Sequence, residues 1–181
     1  MLSYYYIISS LPTQFLGRKP SITSAELLNH HRNSIPDSHY HLLEKITLEP
    51  VMDIISMNST LGKWYFWEIA LRNAIAKKRG LILKRDSSKY LNAEPDVFSN
   101  ITKWIHDAFA AQNPMDKAKI LDTARWNELD NLEWNHAFDI EKLLIYKLKL
   151  LLCEKWLDRE KGIKKLDKCI DSIYKNSIPA L

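Results

Sequence analysis

Apolar positions along this chain recur mostly at helical spacing, and the stretch "LGKWYFWEIALRNAIAKKRG", residues 61–80, carries the pattern furthest. On a wheel of about 100° per residue, Leu61, Trp64, Tyr65, Leu71, Ile75 and Ala76 share one face. Lys63, Asn73 and Lys77 fall opposite. Glu68, Arg72 and Arg79 fall in the middle of the apolar face. An isolated charge there is costly, so each of the three must be paired or must face something outside the fold. Glu68 and Arg72 stand at i and i+4 in the favourable orientation, which predicts an ion pair that fixes helix packing.

The same reading extends along the chain. "SYYYIISSL" is rich in Tyr and Ile and favours a strand by local propensity. No second strand pairs with it, so a short helix is the alternative. Thr23 or Ser24 caps a helix over "AELLNHHRN". Pro36 sits in the first turn of "PDSHYHLLEKI", with Ser34 as its cap. Leu48-Glu49-Pro50 breaks the chain, and the long helix runs from about Ser59 to Lys84. "DSSKYLNAEPD" reads as a linker. Pro95 opens a helix striped by Val97, Ile101, Trp104, Ile105 and Ala108.

In "NPMD", Asn113 caps, Pro114 takes the first helical position and Asp116 favours the positive end of the helix dipole. Asp139 caps a helix from Ile140 to Leu157 that is apolar on nearly all sides, hence central. "GIKKLDKCIDSIY" gives a last amphipathic helix through Ile163, Leu166, Ile170 and Ile173. The expected architecture is all-α: one domain over residues 1–181, a bundle of about six or seven helices with a short extended or helical N-terminal segment. Only 4 glycines among 181 residues, with 6 Trp and 8 Tyr, favour helices over a turn-rich β fold.

Charge adds one feature. The formal net charge is +4, and the excess is concentrated: Arg72 to Lys89 holds seven Lys or Arg and one acid, Asp86. This reads either as a solvated helix end or as a basic docking patch, with Arg79, Lys84, Arg85 and Lys89 as the partner-binding residues. Cys153 and Cys169 make no disulfide framework, and Cys153 lies in an apolar run as an inert core thiol. No apolar run is long enough for a signal peptide or a membrane span, so a cytoplasmic protein, free or peripheral at the inner face of the membrane, is expected.

Catalytic chemistry finds little foothold. His30, His31, His39 and His41 match no metal spacing, and "WNHAFD" has no metal partner. There is no G-x-S-x-G frame, no glycine-rich phosphate loop and no H-E-x-x-H. Asp122, Glu128 and Asp130 read as a solvated helix face. Trp64 and Tyr65 fall on the apolar stripe rather than on a stacking platform. The expectation is no enzyme, no catalytic, cofactor or metal site, and no small-molecule substrate. A nucleic-acid-binding module using residues 72–89 is the alternative.

"SYYYIISSLP", "LRNAIAKKRG…RDSSKYL" and "NPMDKAKILDTARWNELDNLE…FDIEKLLIYKLKLLLCEKW", in that order, resemble an uncharacterised bacterial family known only as a domain of unknown function. Members of that family tend to be encoded in operons for V-type (A-type) ATPases, near the position of the helical, funnel-shaped adaptor that joins the central stalk to the membrane rotor ring. The resemblance implies a non-enzymatic subunit or assembly factor, adaptor-like, between the central stalk and the rotor ring. This chain is about half the length of that adaptor.

Overall fold

In the computed structural model, residues 4–93 and 98–177 are described. Among them are eight α-helices and no strand. They are α1 (Tyr4–Ser9), α2 (Ser24–His31), α3 (Asp37–Lys45), α4 (Met52–Ile55), α5 (Ser59–Leu83), α6 (Ser99–Ala110), α7 (Pro114–Glu133) and α8 (Ile140–Ser177).

Capping chemistry sets most starts. Thr23 and Glu26 form a reciprocal capping box on α2. The Asn58 side chain accepts from the amides of Thr60 and Leu61 at 3.0 Å each. Asn113 accepts from Met115, with Pro114 at the first turn, and Asp139 accepts from the Lys142 amide at 3.0 Å. Each partner satisfies a donor that the helix leaves open.

Several boundaries differ from the sequence expectation. The Tyr-rich segment takes the second of its two expected forms, a helix, which satisfies its own backbone without a ladder partner. Ile7 is buried, and Tyr4 Oη lies 2.5 Å from His39 Nδ1. Ser34 does not cap α3: Pro36 takes the cap position, without a side-chain hydrogen bond. The short α4 precedes the long helix and is too brief to show a period. The expected break between Leu157 and Ile163 is absent, and α8 runs unbroken for 38 residues. "DREK" favours helix, and Gly162 costs only about 1 kcal/mol, too little to end one. α6 begins at Ser99, after an extended Phe98; the expected opening at Pro95, with Val97, lies outside the described residues.

Helix α5 packs against α4, α6 and α7, while α8 packs against α1, α2, α3 and α7. The buried core joins Leu61, Trp64, Tyr65, Trp67 and Leu71 of α5 to Leu143, Leu144, Ile145, Leu148 and Leu152 of α8. Trp64 and Trp67 stack at 5.7 Å between ring centroids. α5 is therefore enclosed on nearly all sides in its first half. Asn73, placed opposite the apolar face by the wheel, is buried as well. Its side chain donates to the Asn92 carbonyl at 2.7 Å and accepts from the Asn92 amide at 3.0 Å. That exchange fastens part of the expected linker to the helix, and a short 3-10 turn at Ser88–Tyr90 tightens it further.

No helix among the described residues is long and apolar enough to cross a membrane.

Candidate anion-binding cleft and the basic end of α5

Glu68 is fully buried and holds two guanidinium groups. Arg72 Nε donates to its Oε1 at 2.7 Å. Arg125, from α7, donates to both carboxylate oxygens, Nε to Oε2 and Nη2 to Oε1, each at 2.9 Å. This two-point contact is the geometry that matches guanidinium to carboxylate best. Arg125 also donates to Asp122 Oδ1 at 2.8 Å. Asp122 is fully buried, which corrects its reading as part of a solvated face. It accepts further from Lys155 at 2.7 Å and Arg159 at 3.0 Å, both on α8.

The network thus ties α5, α7 and α8 together through two carboxylates and four cations. Burial works against the charge on Arg125, but Glu68 and Asp122 outweigh it and hold the guanidinium above its ordinary range. Lys155 is not fully compensated. Burial first, and then the like charges of Arg125 and Arg159, lower its pKa against the pull of Asp122.

The network opens onto a cleft of about 460 Å³ between the three helices. Arg79 and Lys117 stand at this cleft beside the four network cations. Of the residues singled out in the sequence, Glu68, Arg72 and Arg79 therefore converge on one place. Lys84, Arg85 and Lys89 do not. They are exposed at and beyond the end of α5, where Lys84 and Arg85 border a separate depression with Ser87.

That end has its own geometry. Lys84 adopts a left-handed conformation, φ 52° and ψ 41°, and the Arg85 amide returns to the Gly80 carbonyl at 3.0 Å. A Cβ at Gly80 would lie 2.9 Å from the Arg85 carbonyl oxygen, so the reversal needs glycine there. Leu81, Ile82 and Leu83 are exposed at 76%, 60% and 63%, between clusters of cations.

Sequence reasoning missed Arg125, Asp122, Lys155 and Arg159. A partial signal exists: Lys155 and Arg159 are one helical turn apart, as are Asp122 and Arg125. Which of these turns faces Glu68 is not encoded locally.

Other groups have structural partners. His136, Asp139 and Glu141 offer ligand atoms within 4.8 Å of one another, a juxtaposition the sequence did not suggest. His136 Nδ1 lies 2.6 Å from Asp139 Oδ2, Asp139 caps α8, and Glu141 accepts from Asn58 at 3.3 Å. Cys153 is buried, and burial pushes its thiol up to about 11, as befits an inert core group.

No curated protein and no solved structure matches the chain. Residues 95–177, which hold α6, α7 and α8 and with them Lys117, Asp122, Arg125, Lys155 and Arg159, match the family described as "Protein of unknown function (DUF2764)".

Proposed function

We propose that the protein acts by binding rather than by catalysis, as a subunit or assembly factor that docks the end of α5 onto an acidic protein surface. We further propose that the partner is the central stalk or the membrane rotor ring of a V-type (A-type) ATPase. The carrying observation is that helix end. Leu81, Ile82 and Leu83 stand uncovered, flanked by exposed Lys78, Lys84 and Arg85. Such a surface suits a partner that offers an apolar pocket rimmed with carboxylates. The apolar residues supply affinity, and the cations supply steering and register. The choice of the ATPase rests on the sequence resemblance alone. Localisation at the inner face of the membrane, through the partner, follows from it.

The test is affinity capture of the tagged full chain from its native host at low and high salt, wild type beside Lys84→Glu/Arg85→Glu. ATPase stalk or rotor subunits should accompany the wild type and be depleted several-fold in the variant, most clearly at low salt. Equal recovery of those subunits by both proteins at low salt removes the docking role. Nucleic acid lost steeply with salt would support the alternative of a nucleic-acid-binding module. Trp64, Tyr65 and Trp67 are buried and offer that alternative no stacking surface, which leaves it the exposed Tyr90 beside Lys89.

A further inference from the structure

The cleft between α5, α7 and α8 is distinct from the docking end of α5, and its charge balance is unusual. Six cations line it: Arg72, Arg79, Lys117, Arg125, Lys155 and Arg159. Among the described residues, only Asp122 in its wall and Glu68 behind it oppose them. Six minus two leaves four positive charges, as large as the formal net charge of the entire chain. Arg79 and Lys117 have no carboxylate within ion-pair distance among the described residues. The first turn of α7, at Pro114, also borders the cleft, and the positive end of that helix's dipole adds to the field.

A fold gains nothing by gathering like charges at a partly desolvated place. Bringing them together costs stability unless something negative sits among them. The carboxylates already present position Arg125, Lys155 and Arg159, holding their donors in fixed directions as a preformed site requires. The remaining walls are aliphatic, from Ile75, Ala76 and Leu121. Among the described residues no aromatic ring lines the cleft to take a nucleobase; the nearest to its cations, Phe109, lies under the Lys117 ammonium at 4.5 Å.

We propose that this cleft binds a small, multiply charged phosphate compound: a free polyphosphate or phosphate ester, or the phosphorylated headgroup of a lipid. Guanidinium forks match phosphate oxygens in pairs, and Lys117 and Arg79 supply the charge that the protein's own carboxylates leave unanswered. The inference does not depend on the ATPase partner.

The test is calorimetric titration of the purified full chain with inorganic tripolyphosphate at low salt, followed by sedimentation with phosphatidylcholine vesicles with and without phosphatidic acid. The variant is Arg79→Gln/Lys117→Gln, which leaves the Glu68–Arg125–Asp122 network intact; an unchanged helical circular dichroism spectrum verifies its fold. One saturable site is expected, with Kd raised at least tenfold in the variant. Binding to tripolyphosphate alone identifies a free ligand. Binding to both probes, with the variant losing both, identifies a headgroup.

Three results overturn the proposal: no saturable binding of either probe up to millimolar phosphate, wild-type affinity in the variant, or vesicle binding lost in Lys84→Glu/Arg85→Glu but not in Arg79→Gln/Lys117→Gln. A single-stranded oligonucleotide that displaces tripolyphosphate and binds more tightly would likewise replace the small phosphate compound with nucleic acid.

Discussion

Helices α5 and α8 both invert the usual placement of charge, and they do so in different ways. Each is buried in its first half and exposed in its second. In α5 the buried charge is Glu68, answered by guanidinium groups from its own helix and from α7. In α8 two lysines are buried: Lys149, answered by Glu133 and Asp130 of α7, and Lys147, which has no carboxylate within ion-pair distance among the described residues and feels Glu44 and Glu154 only from further off. Lys147 donates to the carbonyls of Leu43 and Glu44 at the end of α3, where a cation complements the negative end of the helix dipole. The exposed halves differ as well. α5 ends in three consecutive uncovered apolar residues and a sharp reversal. α8 continues with Ile163, Leu166 and Ile170 on one stripe, partly exposed, while the side chain of Ile173 lies outside the described region. Carboxylate pairing thus holds Glu68 of α5, as it holds Lys149, Lys155 and Arg159 of α8, while Lys147 alone of these rests on backbone carbonyls and leaves α8 sensitive to pH.

The largest expected effect is on the carboxylate side of this contrast. Glu68→Ala should destabilise the protein by about 3–5 kcal/mol in urea unfolding, because it removes both bonds from Glu68 to Arg125 and leaves Asp122, already shared with Lys155 and Arg159, to answer that buried guanidinium alone. The double change Glu68→Leu/Arg125→Met should cost less than Glu68→Ala alone. If Glu68→Ala shifts stability by under about 0.5 kcal/mol, the network does not brace the helices.

On the dipole side, burial pushes the Lys147 ammonium down to about 8 from 10.5. Between those pH values the unfolded chain holds a proton that the folded chain has released, so stability rises with pH. Cys153, pushed up to about 11 from 9.0, acts in reverse above pH 9: the folded thiol keeps a proton that the unfolded chain has lost. The wild type should therefore gain about 1 kcal/mol from pH 8 to 9 and level off above. Lys147→Met should abolish the gain, and a flat wild-type profile over that unit would place Lys147 in contact with water.

Smaller changes separate the halves of α5 itself. Asn73→Ala should cost about 1 kcal/mol, the worth of its exchange with the Asn92 backbone, and should speed amide exchange at Asn92. A variant with unaltered exchange there would mean that the segment is held elsewhere. The smallest effect belongs to Lys84→Glu/Arg85→Glu. These are exposed cations in a loop reversal, and the substitution should change stability by less than about 0.5 kcal/mol. A larger loss of melting temperature would make this end of the helix part of the fold and not a free docking surface.

Much of this helix plan was legible in the chain. Thr23, Asn113 and Asp139 announce helix starts because capping is a contact between near neighbours. The Glu68–Arg72 spacing announces a pair for the same reason. Ser34 misled because proline two residues on resets the start, and Gly162 misled because one glycine is too weak a breaker. Asn73 and Asp122 misled because their burial depends on a distant segment: Asn92 for one, α8 for the other.

The sequence by itself determined the all-helical class, the extent of α5 and the gathering of positive charge along residues 72–89, all of which follow from periods and contacts within a few residues. Only the tertiary structure decided that Glu68 binds Arg125 before all else, that Asp122 is the hub for Lys155 and Arg159, and that Arg79 belongs to a cleft while Lys84 does not. Those outcomes depend on how three helices are rotated about their axes against one another. That rotation is set by the packing of the whole core, and no local pattern carries it.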